Sequence, residues 1–215
     1  MSDAELTGLT EFAFNRLLRP QEGGASLSCG ASGHLMIAVR GEVAACLEGA
    51  VTLSESLQIR RLSPRSRGVR IDGGLAHLVG VSGEGHVVIA PQGQVFHVVR
   101  LRRDTCYLRE SVVWALEGEV GVDVGLLPGS RRDGSEGVSM LRLHGDGTVA
   151  LRVPGEVIAV SVRPESPQRV AGDAILGWIG GVVAVVDSTS PLLRCEGEGT
   201  VLVALAAGRG AGGDA

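Results

Sequence analysis

Lysine is absent from this chain, and every basic residue is an arginine. The absence of lysine excludes Schiff-base chemistry, a lysine general base and the lysine of a phosphate-binding loop. Aromatic side chains are also scarce, at 3% of the residues. The core must therefore be built from valine, leucine, isoleucine and alanine, and few rings are available to stack on nucleic-acid bases.

An excess of positive charge is missing as well. The net charge of −4 gives no general attraction to phosphate backbones or anionic lipid, so we expect no nucleic-acid partner. One local group of basic residues departs from this balance: Arg60, Arg61, Arg65, Arg67 and Arg70. We interpret it as a solvated loop, and a site for an anion or a protein partner is the alternative.

Paired cysteine motifs and long apolar runs are lacking too. Cys29, Cys46, Cys106 and Cys195 lie far apart, which excludes a zinc ribbon or a thioredoxin motif and predicts buried free thiols. No segment reaches the ~18 uninterrupted apolar residues of a membrane-spanning helix. Residues 1–26 lack a basic start followed by an apolar run, so we expect a cytoplasmic protein without a transmembrane segment.

Glycine, by contrast, is abundant, with 33 residues and no collagen period. This pattern indicates the turns of an all-β chain. The stretch Val81–Leu101 reads as three strands separated by turns at Glu84-Gly85 and Gln92-Gly93, since glycine takes the positive φ that a two-residue hairpin turn requires. Gly145-Asp146-Gly147 and Gly197-Glu198-Gly199 are predicted to be hairpin turns of the same kind.

The Val81–Leu101 pattern recurs along the chain at a period of about 62 residues, which is too long for a common solenoid. We therefore predict three tandem β units that share a core, over residues 12–74, 75–136 and 137–205. The third unit ends in a closing hairpin. Residues 1–11 are expected to be a frayed N-terminus, and residues 206–215 a disordered Gly/Ala tail.

The predicted strands show two apolar patterns, one with a single apolar face and one with two apolar faces. Val149–Val153 alternates, which predicts a strand with one apolar face, whereas Val157–Val162 and Ile179–Val186 are apolar on both faces. Strands of the second kind must be covered on two sides by another sheet, another unit or another subunit, so self-association is expected. Glu5–Leu18 has roughly helical spacing, but the repeat alignment predicts that Phe14–Leu18 is extended.

Three sets of short motifs resemble the family named for altered inheritance of mitochondria, number twenty-four. They are the hydrophobic-x-(Pro/Gly)-Glu elements Val39-Arg40-Gly41-Glu42, Leu101-Arg102-Arg103-Asp104 and Val162-Arg163-Pro164-Glu165, the stretch Gly83–Ile89 with its turn at Gln92-Gly93, and the run Val112-Val113-Trp114-Ala115. The resemblance covers residues 12–205. It implies tandem sandwich-like β units of the type seen in the tryptophan RNA-binding attenuation protein, related to double-stranded β-helix folds, and a homotrimer. It brings no catalytic residues. Eukaryotic members are associated with mitochondrial inner-membrane organisation, and nothing here resembles a transit peptide.

Histidines and acidic residues supply the candidate sites. His77, His86 and His97 could supply metal ligands if adjacent strands bring them together, although the His-x-His pair of a cupin is absent. We interpret them as ordinary strand residues. Glu22, Glu84, Asp146 and Glu198 occupy equivalent positions and could form a carboxylate ring around a cation, but turn propensity explains them without a ligand.

Motifs of nucleophilic or phosphate chemistry are not found. Ser82-Gly83-Glu84-Gly85 lacks the following lysine of a phosphate loop, and no Gly-x-Ser-x-Gly elbow exists. The sequence therefore predicts a non-enzymatic, self-associating scaffold or binding protein without a cofactor. The alternative is a β protein that binds a metal or a small ligand through His77, His86 and His97.

Overall fold

The computed structural model describes residues 8–17, 25–62, 65–66, 69–72, 75, 77–130, 137–186, 190 and 192–206. These ranges contain one short helix, α1 (Leu9–Phe14), and fourteen strands. The strands are β1 (Leu27–Cys29), β2 (Leu35–Ala45), β3 (Ala50–Leu53), β4 (Gln58–Arg61), β5 (Arg65–Ser66), β6 (Val69–Asp72), β7 (Val79–Ile89), β8 (Val95–Arg109), β9 (Val113–Leu126), β10 (Ser139–Val153), β11 (Gly155–Val162), β12 (Gln168–Ala171), β13 (Ile175–Val186) and β14 (Leu192–Ala206). The predicted all-β class is confirmed.

The described strands join one hydrogen-bonded sheet, whose main path runs β11-β14-β13-β8-β10-β9-β2-β7-β3. The pairing of β6 with β9 is parallel, and the strands along the main path are antiparallel to their neighbours. Strands from the three predicted units pair with one another, since β2 pairs with β7 and β10 pairs with both β8 and β9. The boundary at 74/75 lies between β6 and β7, and that at 136/137 lies between β9 and β10, whereas 11/12 falls within α1 and 205/206 within β14. The division into three tandem units stays a prediction.

The glycine-flanked acidic residues lie inside long strands, at Gly83-Glu84-Gly85 in β7, Gly145-Asp146-Gly147 in β10 and Gly197-Glu198-Gly199 in β14. The first glycine of each triplet has a positive φ, of 122°, 115° and 101°. Pairing continues on both sides of each triplet, so none of the three strands reverses there, and in β10 the register with β8 shifts between Gly145 and Asp146, which marks a β-bulge. The predicted hairpins, including the closing hairpin, are therefore wrong. The turn at Gln92-Gly93 is confirmed, with the Gln94 N–H donating to the Pro91 carbonyl at 3.0 Å.

The bend in β10 brings its two ends together. Arg109, at the end of β8, pairs with Met140 near the start of β10, whereas Val113, at the start of β9, pairs with Leu151 near its end. Only a 3-10 helix, Glu110–Val112, joins Arg109 to Val113. That connection spans at most ~14 Å, less than half the length of a straight strand from Met140 to Leu151. The sheet must therefore curl between Met140 and Leu151, where the pairing of β10 shifts register at Gly145/Asp146 and at Ala150/Leu151.

Two clusters of buried apolar residues form the core. The larger one includes Leu35, Val81 and Leu143, and the second one gathers around Trp178 with residues of β10 to β14. Residues Val149–Val153 are all buried, so the predicted alternation of a buried and an exposed face is wrong there. The curl explains this burial because it covers both faces of β10 near its end.

The N-terminal predictions need correction. Phe12–Phe14 is helical and Asn15 and Arg16 form a turn, so the first strand begins at Leu27, well after residue 12. Residues 1–7 of the predicted frayed segment and residues 207–215 of the predicted tail lie outside the described residues. Within the described part of the chain, no helix has the length and apolar character that crossing a membrane requires.

The arginine-rich segment is not a simple loop. Arg60 and Arg61 belong to β4, Arg65 to β5 and Arg70 to β6, whereas Arg67 lies outside the described residues. Arg60 forms an ion pair with Glu42 at 2.7 Å. The four described arginines therefore lie in strands and not in a loop, although Arg60 and Arg61 are exposed, as expected of a solvated segment.

Candidate functional site

A cavity of about 650 Å³ opens where the curled sheet brings the end of β8, the start of β9 and the end of β10 together. We call it the Trp114 cavity. The side chains that define it are Cys46, His77, Arg109, Glu110, Trp114 and Arg152. Because these residues are far apart in the sequence, the cavity depends on the curl described above.

Arg152 is the buried cation of the cavity, with only 5% of its surface exposed. Its guanidinium lies over the Trp114 ring at 4.4 Å from the ring centroid, a cation–π contact. One terminal nitrogen donates to Gln92 Oε1 at 2.8 Å and to the Pro91 carbonyl at 3.3 Å. The other lies 3.9 Å from a carboxylate oxygen of the exposed Glu48. These contacts fix the guanidinium at the cavity wall.

Arg109 supplies a second guanidinium. It donates a hydrogen bond to the Gly172 carbonyl. Burial lowers the pKa of Arg109, and the carboxylate of Asp173 opposes that shift. Guanidinium groups are not deprotonated in folded proteins, so Arg109 remains a cation despite this shift.

Three buried N–H groups of the cavity residues have no hydrogen-bond partner. They are Nε of Arg109, Nε of Arg152 and Nε1 of Trp114. Arginine and the indole nitrogen only donate hydrogen bonds. The cavity is therefore rich in donors that an acceptor could satisfy.

His77 and Glu110 form the opposite part of the lining. His77 Nε2 lies 3.0 Å from the Val113 carbonyl oxygen, and its Nδ1 lies 3.4 Å from a Glu110 carboxylate oxygen. The bond to a carbonyl requires a proton on Nε2, so in the neutral ring Nδ1 is an acceptor, and in the charged ring it pairs with Glu110. The His77 ring also lies beside Trp114, with the ring centroids 6.5 Å apart.

Comparison with known proteins supports the family suggested by the sequence motifs. The model of the family described as Mitochondrial biogenesis AIM24 matches residues 28–211. The chain belongs to this family.

One solved structure similar to this AIM24-family chain is a crystal structure of a protein from Streptococcus pyogenes. The two share 12% sequence identity, and the match covers 83% of this chain and 91% of the other with a TM-score of 0.61. At this identity the likeness shows the fold alone. No match was found among curated proteins.

The three candidate histidines of the AIM24-family chain have separate surroundings. His77 lines the Trp114 cavity, His86 pairs with the Ser54 hydroxyl at 3.2 Å, and His97 has a buried Nε2 without a partner. Across the described residues, no group of three histidine, cysteine, aspartate or glutamate side chains could hold a metal ion. The structure therefore does not bring His77, His86 and His97 together.

The acidic residues of the predicted carboxylate ring also have individual environments. Asp146 lies 3.8 Å from the Arg100 guanidinium, and Glu84 and Glu198 are exposed within β7 and β14. Glu22 lies outside the described residues. The positive φ of the first glycine in each of the three described triplets accounts for the recurrence of glycine without a bound cation.

The thiols divide into one exposed and three buried groups. Cys46, Cys106 and Cys195 are buried as predicted, whereas Cys29 is exposed, which is a correction. Burial, and then the carboxylate of Asp104, raise the pKa of Cys106 to about 11. Burial is also the main cause that raises the pKa of Cys46, which lines the cavity. A thiol with a raised pKa is protonated at neutral pH and is a poor nucleophile.

We expect a single fast-reacting thiol in the native protein. At pH 8, Cys29 should react with a disulfide reagent at least about tenfold faster than the other three thiols, because Cys29 is exposed and they are buried, although partial burial raises the pKa of Cys29 as well. The released thiolate can be followed by absorbance, and Cys29→Ser should remove the fast phase. A fast phase that persists in Cys29→Ser and disappears in Cys106→Ser would contradict the assignment.

Sequence reasoning missed the three residues that matter most in the cavity. Arg152 stands in the segment Val149–Val153, and the alternation predicted there did not indicate that this arginine is buried. Trp114 was used only as a family motif, and Arg109 carried no signal. The one local signal in the sequence is that an arginine interrupts the otherwise apolar segment Val149–Val153.

Proposed function

We propose that this AIM24-family chain is a non-enzymatic protein that self-associates, as a trimer, and serves as a scaffold or binding module. The observation that carries the proposal is an exposed apolar row on β13. Ile179, Val183 and Val185 are 44%, 57% and 41% exposed. The alternate residues Val182 and Ala184 are buried in the second core cluster.

The apolar row favours contact with another molecule. Burying a valine or isoleucine side chain fully contributes roughly 1.5–3 kcal/mol relative to leaving it in water. Three such residues on one strand form a continuous strip. A strip of this kind on a protein surface is typical of an interface.

The backbone of β13 also offers an edge. β13 pairs with β14 along its length but with β8 only at Gly177–Ile179. Among the described residues, the edge from Gly180 to Val185 has no strand beside it, and at Val186 the N–H donates to the Pro128 carbonyl at 3.1 Å. An open edge of this kind can pair with a strand of another chain.

The neighbouring side chains favour a second copy of this chain as the partner. Arg194 and Glu196 of β14 lie directly opposite Val185 and Val183 in the register, and they form an ion pair with each other. A rim with both charges beside an apolar strip is complementary to itself when two copies meet. The trimer number comes from the family resemblance.

Two arguments support the proposal that the protein is not an enzyme, one from the family and one from the Trp114 cavity. The family brings no catalytic residues to these positions, and the raised pKa of Cys46 makes the cavity thiol a poor nucleophile. The family description refers to mitochondrial biogenesis, and a self-associating scaffold is one way in which a protein can serve the assembly of other components.

We expect the purified chain to have the mass of three 22.2 kDa protomers in solution. Val183→Arg should reduce the mass to that of one protomer, because it places a charge in the apolar strip. Light scattering coupled to size exclusion measures the mass directly.

A matched control is Val51→Arg, since Val51 is exposed on β3 at the opposite end of the sheet path. This variant should keep the trimer. The proposal fails if the wild-type chain is monomeric, or if Val183→Arg keeps the wild-type mass. A dimeric mass would reject the trimer.

A further inference from the structure

We propose that the Trp114 cavity binds a small organic acid, with its carboxylate held by Arg109, Arg152 and the Trp114 indole N–H. The site is separate from the β13 strip and does not depend on self-association. Its ligand is defined by the chemistry of the lining side chains.

The unpartnered donors carry the proposal. Three buried side-chain atoms of the residues that line this one cavity have no hydrogen-bond partner among the described residues. All three are N–H donors, on Arg109, Arg152 and Trp114. Leaving a buried donor unpaired costs about 1–3 kcal/mol, and more for a charged group. An oxyanion would supply the missing acceptors.

The two arginines and two glutamates of the lining balance in charge, so the cavity disfavours a dianion more than a monoanion. Arg109 and Arg152 supply two positive charges, and Glu48 and Glu110 supply two negative charges at the same lining. Glu110 is paired with His77, and the exposed Glu48 is only 3.9 Å from Arg152. A dianion such as phosphate would be repelled by both carboxylates, whereas a monocarboxylate needs less compensation.

The size and the walls of the cavity select an organic ligand. Its volume of about 650 Å³ falls in the range of small-molecule sites and is far larger than an inorganic ion requires. Trp114, Val138 and the protonated thiol of Cys46 add apolar surface to the lining. A ligand with a carboxylate at one end and an apolar body at the other would satisfy both kinds of surface.

Binding can be observed at the indole N–H of Trp114. The chain has two tryptophans, so two indole signals are expected in a ¹H–¹⁵N spectrum, and Trp178→Phe assigns them. Sodium benzoate is the probe, benzamide is the neutral compound of the same shape, and inorganic phosphate tests an oxyanion without an apolar body. Benzoate should shift the Trp114 signal saturably with a dissociation constant of about 1 mM, and benzamide and phosphate should not.

Variants test the assignment to the arginines. Arg152→Gln should weaken benzoate binding at least about tenfold, since it removes a charge-assisted donor. Arg142→Gln is the matched control, because Arg142 is an exposed strand residue that pairs with Asp123, and it should leave the affinity unchanged. If the spectrum shows that Arg152→Gln does not fold, Arg109→Gln takes its place with the same expected loss.

The possible outcomes separate the proposal from its competitors. A Trp114 signal that does not move with benzoate up to about 10 mM would overturn it and leave a cavity that holds water only. An equal response to benzamide would show an apolar site without anion recognition. An equal response to phosphate would show a site for inorganic oxyanions. Either result would refute the organic-acid assignment.

Discussion

Gly145→Val is expected to lower the free energy of unfolding by about 4 kcal/mol, or to prevent folding. Gly145 has a φ of 115°, which a β-branched residue adopts only with strain. A Cβ atom at this position would also lie well inside 3.0 Å of the Glu119 backbone carbonyl oxygen, a separation that real Cβ atoms essentially never show. Because the obstacle is backbone of the paired strand β9, it cannot rotate away.

Urea unfolding followed by circular dichroism, at one protein concentration for every variant, measures this loss. Gly125→Val is the matched control: Gly125 lies in β9, and a Cβ there would meet no other atom within 4 Å. It should change the free energy of unfolding by less than about 1 kcal/mol. If the two variants were equally stable, the bend at Gly145 would not be required for the fold.

Trp178→Ala should lower the free energy of unfolding by about 3–5 kcal/mol. Trp178 is 6% exposed and belongs to the second core cluster. Its ring stacks on Tyr107 with the ring centroids 5.3 Å apart. Trp178 of β13 lies directly opposite Tyr107 of β8. The short pairing of these two strands joins the C-terminal strands to the rest of the sheet. The substitution therefore removes core volume at a junction.

The same unfolding experiment with Trp178→Phe distinguishes the loss of side-chain volume from the loss of an aromatic ring. Phenylalanine keeps an aromatic ring for the contact with Tyr107, so its loss should be less than half of that of Trp178→Ala. Losses of the same size in both variants would show that the stacked contact with Tyr107 contributes little.

Several features follow from short-range chemistry and are readable in the sequence. Valine-rich segments and abundant glycine predict strands, and the turn at Gln92-Gly93 forms as expected because two adjacent residues decide it. Three of the four cysteines are buried, as the lack of paired motifs predicts. The family motifs are also local, and the match over residues 28–211 confirms the family.

The Gly-acid-Gly triplets show where local chemistry is ambiguous. Glycine at positive φ suits both a hairpin turn and a bulge inside a strand. Whether β7, β10 and β14 reverse or bend is decided by the partners on either side of each triplet, which lie far away in the sequence. The helical state of Phe12–Phe14 likewise overrode the alignment that predicted Phe14–Leu18 to be extended.

The sequence by itself determined the all-β class, the family, the burial of most thiols and the absence of lysine chemistry, because these depend on composition and on neighbouring residues. Only the tertiary structure decided that Arg152 is buried against Trp114 and that Arg109 reaches the same cavity. The physical reason is the curl of the sheet along β10, which brings the two ends of this strand to one cavity and so places donors from distant segments in its lining.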